Sequence, residues 1–412
     1  MKRKIVVFLL LVLMAGVLFI GCNRQQQSEV TLMFWDDLVE SDFRVLVTEF
    51  ERANPELSVE LSLTPWNEYW TRLATALPTN AAPDIFWINY GNAAVYMPTG
   101  VMMNLEPWAA DIRFENFSPN FYEAYTFQGN RYAVPFMWDS IVLFYNKAHF
   151  DRAGLPYPDG TWDWDRFFDV ARQLTIRSGN NTTQYGVLIE SGYQTGIGNF
   201  ILQNNGAIFT PDKMRGALDS PQNRQTFQTV LDMINNGYAP SQQTMMEAGG
   251  GTNLFTSGII SMMPHLSIRV SFLAEGLGQD LRIAPLPQQQ RQATVIHNIA
   301  FAAAANTQNA DGTRALISFL ASRRTAEVTS NTFAPCFTGM SDMYFERFGW
   351  TGADYIPLSV RYGVAGANIP ARNAAAVGSV IGDGFSRIFS NAGQIGNQLA
   401  ELDAMITAEI AR

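Results

Sequence analysis

Cysteine and histidine are scarce in this chain: Cys22 and Cys336 are the only cysteines, and His149, His265 and His297 the only histidines, in 412 residues. Two cysteines permit at most one disulfide, and none once Cys22 is modified, so the fold must be held by its core. The histidines are far apart and none stands in an H-E-x-x-H arrangement; a zinc site needs several convergent ligands, and no metal or other cofactor is expected. Also missing are a G-x-S-x-G nucleophile elbow and a P-loop, and Gly196-x-Gly198 is too short for a dinucleotide fingerprint. Positive charge is short as well, with 28 Lys and Arg against 37 Asp and Glu, a net charge of −9. An acidic chain without clustered Lys and Arg excludes nucleic acid as a partner. No internal repeat or long low-complexity segment is visible. What is plentiful is apolar: 47% of residues are hydrophobic and nine are tryptophan, enough to bury the cores of two domains.

The first 22 residues read separately. Lys2, Arg3 and Lys4 precede sixteen apolar or small residues, Ile5 to Ile20, then Gly21-Cys22 and the polar run Asn23–Ser28. A basic head, an apolar middle and a small residue at its end describe an export signal; the alternative is a transmembrane anchor, since the run approaches the ~20 residues that span a bilayer. Leu18-Phe19-Ile20-Gly21-Cys22 resembles a bacterial lipobox, with Phe19 where leucine is usual. That resemblance implies residues 1–21 as a signal peptide, lipidation at Cys22, and residues 22–29 as a tether holding an exported chain to the cell envelope; more than one acyl chain makes such attachment stable. Without Lys2, Arg3 and Lys4, the 28 basic side chains become 25 against 37 acidic.

Beyond the tether, periodicity predicts alternating strands and helices. Val30–Trp35 reads as a buried strand, followed by a helix capped by Ser41 or Asp42 with Phe43, Leu46, Val47 and Phe50 on one face and Asn54-Pro55 at its end. Leu57–Leu63 alternates as a strand, Pro65-Trp66 opens a helix to about Leu77, and Pro83-Asp84 introduces the strand Ile85–Asn89. A fresh strand is expected at Ile141–Asn146, a helix from Lys147 to Ala153 stopped by Gly154, and a helix from Thr161 or Asp163 to Leu174. Further helices are expected at Thr195–Asn205, Pro221–Asn236, Asp311–Ser322 and Gln394–Ala411, and strands at Tyr185–Ile189, Ile260–Met263, Arg282–Pro285 and Asn298–Ala305. The Gly- and Ala-rich run Gly363–Gly384 reads as close packing or a mobile loop. Strands alternating with helices imply an α/β protein with mainly parallel sheets covered on both sides.

Several segments together resemble the extracellular solute-binding proteins of sugar ABC importers, the maltose-binding-protein-like family: Phe34-Trp35, then Glu49-Phe50-Glu51-Arg52-Ala53-Asn54-Pro55; Pro83-Asp84-Ile85-Phe86; Tyr132-Ala133-Val134-Pro135 before Phe144-Tyr145-Asn146-Lys147; Phe150-Asp151-Arg152-Ala153-Gly154-Leu155 and Thr161-Trp162; Phe255-Thr256-Ser257-Gly258; and Ala284-Pro285-Leu286-Pro287. The last run before Trp162 is the most specific, and the likeness extends from about residue 30 to 330. It implies a two-lobed periplasmic-binding-protein type II fold, each lobe a mixed, mainly parallel sheet flanked by helices. The implied lobes are residues 30–139 plus 292–340 and residues 140–291 plus 341–412. They would be joined by crossing hinge segments near Asp139–Ile141 and Gln290–Ile296, with a third near residue 340. It further implies a monomer that is not an enzyme, a small polar ligand such as a carbohydrate, and as partners an ABC permease in the membrane with its cytoplasmic ATPase.

Candidate ligand contacts follow from strand ends, because open α/β sheets bind ligands outside the carboxyl ends of their strands, and a sugar wants rings against its CH faces and paired hydrogen-bonding groups for its hydroxyls. Trp35 and Asp36 end the first strand, Trp66 lies just past the second, and Asn89 and Tyr90 end the third. Trp138 and Asp139 sit at the expected crossing, Tyr193 and Gln194 lie in the Gly-rich stretch Ser191–Gly198, and Asn298 opens the small-residue strand; His265 and Arg372 complete the set. Each has a structural alternative: Asp36 as a helix cap, any tryptophan as core, Arg372 as a solvated charge. Trp162 and Trp164 are expected to pack, Asp84 to order a strand entry, and Cys336 to be a buried thiol. Two other functions stay open: a glycan hydrolase built on a carboxylate pair from Asp36, Asp37 and Asp139, whose chemistry needs carboxyls ~5–9 Å apart, and a sensory protein that presents ligand to a receptor.

Overall fold

Residues with alternating burial build the first sheet of the computed structural model, which describes residues 27–346, 363–365, 374–391 and 393–412. Cys22 and Arg372 lie outside the described residues. Strand Ser28–Phe34, with Val30, Leu32 and Phe34 fully buried, pairs in parallel with Leu57–Leu63, Ser28 opposite Leu57 and Phe34 opposite Leu63, and also with Ile85–Asn89, Leu32 opposite Ile85. Asp84 orders the entry of that third strand, one carboxylate oxygen accepting from the Thr31 amide at 2.9 Å and the other from the Thr307 hydroxyl. Helix Glu40–Ala53 covers the sheet with Phe43, Leu46 and Phe50. Its start differs from expectation: neither Ser41 nor Asp42 caps it. A 3-10 turn, Asp37–Val39, precedes it, and Asp36 caps that turn by accepting from the Leu38 amide at 3.1 Å.

The sheet continues antiparallel. Thr294–Ala303 runs beside Ile85–Asn89, Ala303 opposite Ile85, and on its other side beside Ala133–Asn146, Ala302 opposite Ala133 and Ile296 opposite Ser140. Ala133–Asn146 is a single fourteen-residue strand, buried throughout, about 46 Å long at the usual rise. The expected separate strand Ile141–Asn146 is its second half. At Ser140 and Ile141 its pairing partner changes: residues up to Ser140 face Thr294–Ala303, and Ile141 to Tyr145 face Ile260–Leu266, Ile141 opposite Leu266. Ile260–Leu266 pairs in parallel with Asn181–Val187, and Leu281–Ala284 pairs antiparallel with the last four residues of the long strand.

Helices flank this second part. Asp163 caps Trp164–Leu174 by accepting from the Arg166 amide at 2.8 Å, and Gly154, with φ +64°, ends Lys147–Ala153. Trp162 and Trp164 are buried there, as expected. Pro221–Asn235 packs against the C-terminal helices Ala374–Ser390 and Ile395–Ile410, the Phe227 ring 5.3 Å from that of Phe385. In the small-residue run, Gly384 lies so close to Leu402 that an added Cβ would stand 2.4 Å from its Cδ1, which makes close packing the reason for that glycine. Two large apolar cores result. One fills the first sheet and reaches along the long strand through Trp138, Val142 and Phe144; the other lies on the opposite face of the second part, with Leu143, Tyr145, Phe167, Phe200 and Phe227. Short helices at Gln242–Glu247, Gly251–Thr256 and Val270–Leu277 were not legible in the pattern. Among the described residues no helix is long and apolar enough to cross a membrane.

Candidate ligand-binding site

The ends of the first three strands carry an aromatic cluster. The ring of Trp35, half-buried, lies 5.3 Å from Trp66, 5.4 Å from Trp70, 4.9 Å from Tyr69 and 5.0 Å from Trp87, mostly edge to face. Trp87 is fully buried beneath it and Trp66 is 48% exposed above it, so the cluster grades from core to surface within one ring's width. Trp66 begins the helix Trp66–Ala76, and Trp70 stands one turn on, its ring 5.3 Å away. Next to Trp35, burial pushes the Asp36 carboxyl above its ordinary range; the Leu38 amide opposes this, Asp37 adds repulsion, and Arg269 pulls the other way.

Arg269 belongs to a different part of the chain. It follows strand Ile260–Leu266 and stands exposed at the start of helix Val270–Leu277. Its charge also reaches His265, whose basicity burial lowers while Glu190 raises it and Arg269 lowers it further. The His265 Nδ1 accepts from the Leu266 amide at 2.9 Å. Asp36, Arg269, His265 and Glu190 therefore form one electrostatic chain from the tip of the first sheet to the loop after Asn181–Val187. That loop, Glu190–Gly196, borders a cavity of about 560 Å³ with Glu190, Ser191 and Gly192 on one side and Gln242, Met245 and Gly249–Gly251 on the other. Thr195 donates to Glu190 at 2.6 Å and Gln242 to Ser191 at 2.8 Å.

Tyr90 and Tyr193 form a second link between a strand tip and that loop. Asn89, buried, caps the helix Tyr90–Tyr96 by accepting from the Asn92 amide at 2.9 Å. Burial raises the Tyr90 phenol, and Tyr193 raises it further, which brings the third strand's tip and the Gly-rich loop within electrostatic reach. Gln194 is half-buried, and its carbonyl accepts from Asn199 at 2.8 Å. Thus Asp36, beside Trp35 and Trp66, is linked to His265 through Arg269, and Tyr90 is linked to Tyr193, while Asn89 and Gln194 make only local bonds.

Three other candidates are placed inside the protein. Trp138 is 1% exposed, donates its Nε1–H to Ser341 at 2.8 Å and stacks on Phe121 at 5.9 Å. Asn298 donates to the Phe121 carbonyl at 3.0 Å and accepts from the Tyr125 hydroxyl at 2.9 Å. Replacing Asn298 by alanine is expected to cost about 1–3 kcal/mol, the price of stranding a buried carbonyl, with affinity unchanged; urea titration beside calorimetry checks it, and lost affinity at full stability would make Asn298 a ligand contact instead. Asp139 is also buried, at the point where the long strand changes partner. Its Oδ1 accepts from the Ser140 amide (2.8 Å), the Ile268 amide (3.3 Å) and the Ser267 hydroxyl, while Oδ2 has no hydrogen-bond partner among the described residues. Burial pushes its pKa up to about 7 against these bonds.

These shifts predict a pH response. Burial lowers His149 and His297 to about 4, and lowers His265. The unfolded chain therefore binds more protons at these sites, so their contribution is full above about pH 6.5 and is lost as pH falls toward 4. Asp139 acts oppositely: its contribution is full below about pH 3.8 and is lost as pH rises through about 7. Unfolding free energy from urea titration should rise between pH 4.5 and 6.5, and more steeply in Asp139→Asn, by on the order of a few kcal/mol over the window; parallel pH profiles would show that Asp139 does not titrate there.

Glu190, Arg269 and His297 were not singled out in the sequence, since each is a lone polar residue without a motif. Cys336 is buried and its thiol raised by that burial. Among the described residues no group of three or more His, Cys, Asp or Glu is placed to hold a metal, and Asp36 and Asp139 each accept from backbone amides.

A mixed α/β sheet flanked by helices defines a periplasmic-binding-protein-like fold, with rings and charged groups near its strand ends. The chain belongs to the bacterial extracellular solute-binding protein family, which matches residues 45–344. It is similar to the arabinooligosaccharide-binding protein of Bacillus subtilis, 24% identical over 61% of this chain and 58% of that one, and to the maltotriose-binding protein of Pyrococcus abyssi, 20% identical over 62% and 53%. A binding protein of Brucella abortus, 22% identical, is matched over 59% of each chain; the matches thus span under two thirds of these relatives' lengths. The fold superposes on an ABC substrate-binding protein of Listeria monocytogenes in complex with cycloalternan, with TM-score 0.84, 19% identity and coverage of 93% of this chain and 99% of that one. It also superposes on the sugar-binding protein MalE of Xanthomonas citri, with TM-score 0.80, 17% identity and coverage of 93% and 98%.

Proposed function

We propose that this protein captures a carbohydrate or related polar solute in a gap between two lobes and hands it to an ABC importer. The observation that supports this reading is that Asp36, beside Trp35 and Trp66, lies within electrostatic reach of Arg269, which in turn reaches His265 near Glu190, and that Tyr90 reaches Tyr193. Such a set offers ring faces and hydrogen-bonding side chains together. The lobes are residues 30–139 plus 292–340 and residues 140–291 plus 341–412. The hinge lies at Asp139–Ile141 and Gln290–Ile296, where the long strand exchanges one partner for the other. Closure is populated when ligand contacts both lobes at once, since only differential contacts shift the equilibrium. In support, named relatives bind arabinooligosaccharide and maltotriose, and a structural neighbour holds cycloalternan. The chain acts as a monomer, exported, lipidated at Cys22 and tethered by residues 22–29; a mass shift confined to the peptide beginning at Cys22 tests the anchor.

A thermal-shift screen of the soluble chain from residue 23, with arabinotriose, maltotriose, D-tagatose and erythritol, tests capture. One member should raise the melting temperature by a few degrees and saturate, since ligand at a hundredfold over Kd adds about 2.7 kcal/mol, and chromatography should recover it unchanged. No response from any polyhydroxyl compound refutes the reading, and a released product would turn it into a hydrolase.

A further inference from the structure

His297 faces Asp139 directly across the antiparallel pair of Thr294–Ala303 and Ala133–Asn146, so the two side chains share one face of the sheet, with Cβ atoms about 5 Å apart. The His297 ring meets the edge of Tyr90 at 5.6 Å with the planes inclined by 67°, and Tyr90 in turn senses Tyr193 and Tyr125. Among the described residues neither the His297 ring nitrogens nor the Tyr90 hydroxyl has a hydrogen-bond partner. His297 is nonetheless deep: protein surrounds it closely enough to strip its hydration, while part of its surface still meets solvent. An imidazole and a phenol side by side, with polar atoms bonded to no described protein group, are open to the hydroxyls of a ligand that displaces water from them.

We propose that His297 is a ligand contact that reads the hydroxyls of an uncharged saccharide or polyol together with Tyr90, and that the site rejects phosphorylated or carboxylated sugars. This rests on the capture reading above and narrows it. An imidazole that stays neutral to about pH 4 offers one N–H and one lone pair, which matches the donor and acceptor character of adjacent hydroxyls. It offers no charge for an anion. Among the described residues the charged groups that act on Asp36 and His265 are Asp37, Glu190 and Arg269, and with Asp36 itself they make an acidic balance that repels an anionic ligand. A buried site built for hydroxyls discriminates strongly, because a wrong ligand leaves its polar groups unpaired.

Calorimetry on the mature soluble chain tests this with two sets of probes: maltotriose, arabinotriose, D-tagatose and erythritol as neutral compounds, and glucose 6-phosphate, sn-glycerol 3-phosphate and D-galacturonate as anionic ones. A neutral probe should bind and each anionic probe at least a hundredfold more weakly. For the neutral probe that binds, His297→Phe should weaken affinity by tenfold or more, and His297→Gln, which keeps a donor and an acceptor, by only a few-fold. Both variants should melt close to the parent; should His297→Phe fail to fold, His297→Gln and His297→Ala carry the comparison. An anionic probe bound best, or unchanged affinity in His297→Phe, overturns this proposal and leaves capture standing. Silence from both sets removes capture, and this proposal with it.

Discussion

Gly196→Ala is expected to lower the unfolding free energy by about 3 kcal/mol or more and to abolish ligand binding with it. A Cβ at this position would stand 1.8 Å from the carbonyl oxygen of Glu190 and 2.5 Å from its carbonyl carbon. Those are backbone atoms, so no side chain can swing aside. The same carbonyl accepts from the Ile197 amide at 3.0 Å, and the Gly196 amide donates to Gly192 at 3.0 Å; moving the backbone breaks the bonds that close the loop. The loop is what carries Glu190, Ser191 and Gly192 to the cavity, which ties the stability effect to the functional one. Gly192→Ala is the control. Its Cβ would meet only the Thr195 hydroxyl oxygen at 3.5 Å, an ordinary contact, and its effect should stay within ~0.5 kcal/mol. Urea unfolding of the two variants decides the matter: equal midpoints would mean that the Glu190–Gly196 turn is not closed as described.

Trp35→Ala and Trp66→Ala should part company, although both rings belong to one cluster. Trp35 touches four other rings, and truncating it opens a cavity against Tyr69 and Trp87, both fully buried. A loss of about 3 kcal/mol in stability is expected, at the low end for a tryptophan because this one is only half-buried. Trp66 is 48% exposed, so its removal should change stability by under ~1 kcal/mol while affinity for a bound saccharide falls tenfold or more, the size expected of an aromatic anchor. Thermal melting separates the two, and calorimetry with the bound saccharide confirms the second. Comparable melting losses in both variants would assign Trp66 to the core and remove the outer ring from the site.

Local chemistry carried much of the fold. Asp163, Gly154 and Asn54 each mark a helix end in the sequence, and each does so by a bond or a backbone angle fixed within a few residues. Errors came where distant groups intervene. The fresh strand expected at Ile141 is the continuation of one that already holds Asp139, whose carboxylate is accommodated mid-strand because Ser267 and Ile268, more than a hundred residues on, hydrogen-bond it. Asp36, not Ser41 or Asp42, opens the helical segment because a 3-10 turn comes first. The helices Gln242–Glu247 and Gly251–Thr256 are too short for a periodicity to stand out, and glycines flank them.

The site divides in the same way. Strand ends are local features, so Trp35, Asp36, Trp66, Asn89 and Tyr90 could be marked from pattern alone, and the order of the matching segments pointed to the family that residues 45–344 confirm. Which polar side chains remain unpaired could not be read there. Trp138 and Asn298 look like ligand contacts in one dimension and are spent on Ser341, Tyr125 and Phe121 in three. His297 is brought opposite Asp139 by strand pairing across more than a hundred positions, and Arg269 and Glu190 come together around His265 after the strands Ile260–Leu266 and Asn181–Val187. The sequence by itself determined the elements and the class of protein, because capping and hydrophobic periodicity act within a few residues. Only the tertiary structure decided which hydrogen-bonding groups are left for a ligand, because satisfaction of a polar atom depends on neighbours that the chain supplies from far away.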